Sequence, residues 1–367
     1  MAEEFLSERI NNVSSGFSGE RRRLMRMLLM GVFTLGPLLE ASASGQDQAP
    51  NADGAADQAL NSQYAWVCPM HPDYTSVAPG VCPRCGMVLV RTAPYDVRDY
   101  GLDFHTVPAQ VKAGEKVTLF FRFLRPGGGE VVKEFIPVHT KLFHLFVISQ
   151  DMEFFEHIHP TMAADGTWSI ETTLPKAGYY KVLCDFMPEG GSSQFVAQPL
   201  VTANYVPDLV ADSAHLVADT VLKRSDGDIT VTLSFDPPQF ASCAYGHLNF
   251  GLTDTASGKP ITDLQTYLGA FGHMLIISED MREYVHSHPV NTINDSEREN
   301  PEDVPEYIIP PDADLDKIRG GPSVTFDALM PKPGNYRAWV EFKRNDRVHT
   351  FAFTYNVIQG SADPVLR

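Results

Sequence analysis

The chain contains an internal duplication. His144, Ser149, Asp151, Met152, His157, His159 and Pro160 recur in order and spacing as His273, Ser278, Asp280, Met281, His286, His288 and Pro289, a shift of 129 residues. The match runs back through Phe121 and Phe250 to Pro108 and Pro237. It resumes at a shift of 156, where Leu174, Pro175, Gly178 and Tyr180 recur as Met330, Pro331, Gly334 and Tyr336. The difference, 27 residues, is an acidic insertion in the second copy at about 290–321. A unit copied whole must bury its own core, so each copy is expected to be a domain. Both read as short alternating runs punctuated by Gly and Pro, in the first copy at 116–123, 142–149, 154–158, 167–173, 179–186 and 195–201. No run is long or periodic enough for a helix. The expectation is a mainly β chain with two tandem sandwiches, immunoglobulin-like or cupredoxin-like, at 96–204 and 210–359.

Ahead of the repeats, at 64–92, Cys68 and His71 frame one turn and Cys82 and Cys85 frame another, with Pro69 and Pro83 inside them. C-x2-H followed after ten residues by C-x2-C offers three thiolates and one imidazole to a tetrahedral ion. So short a module cannot bury enough apolar surface to fold alone, so metal is expected to supply folding free energy. Thiolates suit Zn(II) or Cu(I). Met70 and Met87 favour copper if they point inward, and otherwise pack a small core.

These residues closely resemble the heavy-metal-binding domain found beside copper and silver efflux proteins. Cys68, Pro69, Met70, His71, Pro72, Pro79, Gly80, Cys82, Pro83, Cys85, Gly86, Met87 and Leu89 match, and Trp66 stands where Tyr is usual. The resemblance implies a copper or zinc ion as cofactor, metal handling rather than a reaction, and a metal efflux or transport protein as a partner. The repeats are similar to a recurrent all-β domain of secreted proteins that carry the same module, on Gly320, Gly321, Pro322, Pro331, Gly334 and Tyr336. No defined activity comes with that domain.

Arg21, Arg22, Arg23 and Arg26 precede a modest apolar run over 27–39, and Ala41, Ser42 and Ala43 follow as a small-residue cleavage site. That order predicts a twin-arginine-like export signal at 1–43, too short in its apolar part to span a bilayer. Residues 44–63 read as a flexible tether, and the metal module is expected to stand in front of the two repeats. The formal charge of -17 argues against a nucleic-acid partner. The chain is expected to be periplasmic or secreted, and peripheral to a membrane at most.

His144 opens one strand, and His157 and His159 end the next. If the turn centres between Asp151 and Met152, His144 lies opposite His159 with His157 diagonal, all three on the face that carries Phe146, Ile148 and Phe155. His273, His286 and His288 repeat the pattern. Two imidazole triads, one per repeat, are candidate Cu(II) or Zn(II) sites, the alternative being histidines that cap strand ends. Asp151 and Asp280 read as turn closers. Cys184 reads as core, and His139, which aligns with Leu268, as an isolated surface or strand residue.

The combined expectation is an exported heavy-metal-binding protein for sequestration, resistance or metal transfer. A zinc-stapled secreted interaction module and a copper-dependent redox enzyme are the alternatives. No Ser-His-Asp set, phosphate loop or paired-carboxylate motif supports an enzyme.

Overall fold

The computed structural model describes residues 64–93, 99–208, 212–290 and 314–360. The expected signal and tether, and most of the acidic insertion, lie outside the described residues. Every element among those described is a β-strand, and none is a helix long and apolar enough to cross a membrane.

The metal module is a three-stranded antiparallel sheet, with Ala65–Val67 pairing Thr75–Ser76 on one side and Val90–Thr92 on the other. Cys68, Cys82 and Leu89 are its buried centre, surrounded by Trp66, Met70, Tyr74, Cys85 and Met87. The second turn closes through Gly86 N donating to Cys82 O, and only a residue free of Cβ strain suits Gly86 at φ 74°.

Each repeat is a pair of facing antiparallel sheets. In the first, the order is Gly101–Val107, Lys116–Leu124, Trp168–Thr173, Thr161–Met162 against Gln194–Val201, Tyr179–Pro188, Phe143–Ser149, Phe155–Ile158. In the second, Lys223–Asp226, Ile229–Asp236, Tyr245–Asp254 and Ser323–Leu329 face a sheet built on His273–Ser278, Gly334–Arg344 and Arg347–Val357. Alternate side chains fill the gap: Leu119, Phe121 and Phe123 meet Leu145, Val147, Cys184 and Phe186 in the first core. The Pro-x-x-Gly-x-Tyr turn is a tyrosine corner in both copies, with Tyr180 Oη donating to Lys176 O at 2.8 Å and Tyr336 Oη to Lys332 O at 2.9 Å. Asp151 and Asp280 close their turns, accepting from Ser149 Oγ and Ser278 Oγ at 2.6 Å.

The strands Phe143–Ser149 and His273–Ser278 are buried at every position. Odd positions of the first enter its own sandwich. Phe146 and Ile148 instead join Leu183, Met152, Leu275, Ile277, Met281 and Trp339 in an apolar layer between the repeats. Phe155 stacks on Trp339 with ring centroids 4.8 Å apart, and Phe195 on Tyr284 at 4.4 Å. The contacts are reciprocal: Lys181 donates to Met281 O, while Arg337, its duplicate, donates to Met152 O at 2.8 Å. Such an exchange is that of an isologous, approximately two-fold interface formed within one chain. It is this interface that carries the histidines.

Candidate metal centres

In the module, Cys68 Sγ lies 3.6 Å from Cys85 Sγ and 3.7 Å from His71 Nδ1, and Cys82 Sγ lies 3.6 Å from the same nitrogen. With zinc–sulfur bonds of about 2.3 Å, the edge of a tetrahedral site is about 3.7 Å. All four donor atoms are within 4.8 Å of one another. Hydrogen bonding among the thiols lowers Cys82 and, with burial, raises Cys68 to about 12, so the metal-free set favours one thiolate. A divalent or soft cation removes the remaining protons. Met70 and Met87 belong to the apolar cluster around these ligands.

The module does not stand free of the repeats. Ser193 Oγ donates to Pro69 O at 2.9 Å, Thr92 Oγ1 donates to Gly191 O, and Met70 Sδ lies 3.2 Å from His139 Nε2. On the second repeat, Asp327 Oδ2 is 4.0 Å from His71 Nε2.

The hairpin register is the one expected: Leu145 pairs with Ile158 and Phe146 with His157, and Leu275 pairs with His286 in the duplicate. The two histidine sets, however, do not stay with their own repeats. The interface brings them into one cluster, in which His144 is common to two groups of converging nitrogens: His144, His157 and His159, and His144, His273 and His286. His288 instead stacks on His139, centroids 3.7 Å apart. His139 is therefore a member of the cluster rather than an isolated residue. It sits in a tight turn closed by mutual hydrogen bonds between Val138 and Lys141, with φ of 45° at His139 and 67° at Thr140. That left-handed pair is a type I′ arrangement, normally given to Asn and Gly, and here it points an imidazole at the interface.

Carbonyl partners fix the ring tautomers. His144 Nε2 donates to Val138 O at 3.0 Å and His273 Nε2 to Tyr267 O at 2.9 Å. Since a carbonyl only accepts, both Nδ1 atoms are bare. His144 Nδ1 faces His157 Nε2 at 3.0 Å and His159 Nε2 at 3.3 Å. His273 Nδ1, His286 Nε2 and both ring nitrogens of His288 are buried without a partner. Two carboxylates stand behind the rings, each from the opposite repeat. Glu341 Oε2 is 2.6 Å from His157 Nδ1, and Asp185 Oδ2 is 2.5 Å from His286 Nδ1. Asp185 and Glu341 are themselves duplicates at the shift of 156.

Burial governs the electrostatics. Desolvation, reinforced by neighbouring imidazoles, lowers His144 to about 4 and His159 to about 3, and holds His139, His157, His273 and His288 well below their ordinary value. Burial raises Glu341 to about 8. Metal-free, a protonated Glu341 donates to His157 Nδ1, and His157 Nε2 donates on to His144 Nδ1. A cation bound at His157 Nε2 would displace the proton there, and Glu341 would pass its own proton to Nδ1 and then accept from it, as the carboxylate partner that metal-bound imidazoles usually have. The donor set thus fits a cation such as Cu(II) or Zn(II).

Residues 65–92 match the heavy metal binding domain, and 96–203 with 223–359, more than half the chain, match a domain of unknown function, DUF8832. The chain belongs to the DUF8832 family. In this DUF8832 protein the two matched segments are the two sandwiches, and the cluster lies where they meet. No curated protein is a match to the sequence. Among solved structures, the DUF8832 chain is similar to FdeC, an adhesin of Escherichia coli, at 14% identity over 70% of this chain and 63% of that one, TM-score 0.21. InvD of Yersinia pseudotuberculosis gives 12% identity over 72% and 60%, TM-score 0.20. The chain spans less than two thirds of either.

Sequence reasoning did not reach His139, Asp185 or Glu341. An acidic residue in a largely apolar strand, repeated in both copies, was the available signal for the two carboxylates.

Proposed function

We propose that this is an exported heavy-metal-binding protein that takes up copper, or zinc, at the thiolate module and holds further ions in the histidine cluster, for sequestration, resistance or transfer to a metal transport partner. The observation that carries this reading is the convergence of Cys68, His71, Cys82 and Cys85 at tetrahedral edge distances. The cluster supports it through its orphaned, inward-facing ring nitrogens. The arginine-led apolar run and small-residue site at the N-terminus support export to the periplasm or beyond. Binding is favoured over substrate turnover because His144, His273 and His288 are each only 1% exposed, so the centre of the cluster offers no open cleft to a substrate. Elemental analysis of protein purified from its native compartment tests the reading. More than one copper or zinc per chain is expected, with one ion lost on Cys82→Ser/Cys85→Ser. A metal-free protein, or a double variant with unchanged content, counts against it.

A further inference from the structure

Where the thiolate module meets the edge of the histidine cluster lies a pair of donors outside the converging sets of either centre. Met70 is the sequence neighbour of His71, and its Sδ reaches His139 Nε2 at 3.2 Å. A thioether is a weak acceptor and a poor permanent partner for an imidazole N–H, but it is a good ligand for a soft univalent ion. His139 in turn stacks on His288, whose buried ring nitrogens have no partner, and His288 lies with ring centroids 4.5 Å from His273 and 4.4 Å from His286. Met70 thus touches the ring that stacks on His288, and His288 borders the rings of the cluster. His139 is placed there by a left-handed turn whose duplicate carries Leu268 at φ 52° instead, so the imidazole is not something the turn itself requires.

We propose that Met70 and His139 form a soft two-donor site that holds univalent copper in transit between the thiolate centre and the histidine cluster, and does not take zinc. This rests on the metal-binding reading of the two centres, from which its test must be separable. The ion remains Cu(I) throughout, so no oxidant is required: it exchanges one donor pair for the next, the cluster imidazoles accept it as Cu(I), and the His139 ring proton shifts from Nε2 to Nδ1 as Nε2 takes the metal.

The test is copper X-ray absorption on the full chain carrying selenomethionine, loaded anaerobically with Cu(I) beyond the amount that fills the thiolate centre. A copper–selenium neighbour is expected in the parent and should disappear in Met70→Leu. His139→Leu, which installs the residue the duplicate turn already accommodates, should bind one Cu(I) fewer, and zinc loading should show no selenium neighbour. Copper–sulfur scattering that is lost in Cys82→Ser/Cys85→Ser, with no selenium neighbour in the parent, would overturn the transit site while leaving the thiolate centre standing. A selenium neighbour that persists in Met70→Leu would overturn it as well. Absence of both sulfur and selenium neighbours would overturn the transit site and the metal-binding reading together.

Discussion

His157 of the first repeat places Nδ1 2.6 Å from Oε2 of Glu341 in the second, and both groups are almost fully buried. A carboxyl in that position has two tasks: to donate to the ring when the cluster is metal-free, and to accept from it when a cation is bound. Glu341→Gln separates them. The amide still donates to His157 Nδ1 but never becomes an anion. The metal-free variant should therefore unfold within about 1 kcal/mol of the parent, while cluster affinity falls about 10- to 100-fold. Competition titration with Cu(II) against a chromophoric chelator measures it, and unchanged affinity would remove Glu341 from the site.

The pH dependence of metal-free stability has a determined sign. For the imidazoles the folded pKa lies below the unfolded value, so between the two the unfolded chain binds more protons. Their contribution is complete above about 6.5 and is lost as pH falls toward the folded value of about 4 at His144, where that group alone costs about 3 kcal/mol. Glu341 acts oppositely. Raised to about 8, it contributes most below its unfolded value and loses that contribution as pH rises through 8. Urea midpoints should therefore peak near neutrality and drop steeply below about pH 6. A midpoint that is flat from pH 7 to 5 would mean that the cluster is hydrated and the rings titrate freely.

Trp339 binds no metal, yet it stacks on Phe155 at the centre of the apolar layer that brings the two sets of histidines together. Trp339→Ala should cost about 3–5 kcal/mol of interface packing. It should split calorimetric unfolding into two transitions and lower cluster metal uptake without touching a ligand. A single unshifted transition would show that the repeats do not depend on that contact.

Much of this was legible in the sequence. The short alternating runs of apolar residues predict the sandwiches, and the turn at Asp151 and Met152 gives the hairpin register that pairs Leu145 with Ile158. The thiolate ligands come from spacing alone, because a two-residue gap leaves two side chains on one side of a tight turn. What alternation within one strand does not reveal is the partner of its second face. The unbroken apolar runs after His144 and His273 show that both faces are covered, but not that each covers the other. The regrouping of His144 with His273 and His286 depends on that contact between distant segments. His139 was hidden for a related reason, since its duplicate is Leu268 and no repeat pattern marks it.

The shared histidine is the most exposed part of the account to test. Cu(II) titration of the chain with Cys68, Cys82 and Cys85 changed to Ser isolates the cluster, followed by the same titration with His144→Ala or His273→Ala added. His144 is common to both nitrogen groups and His273 belongs to one, so His144→Ala should abolish cluster binding, whereas His273→Ala should remove only part of it. A parent that takes up no Cu(II) at micromolar concentration, or a His144→Ala variant that binds as the parent does, would contradict a metal centre shared by the two repeats.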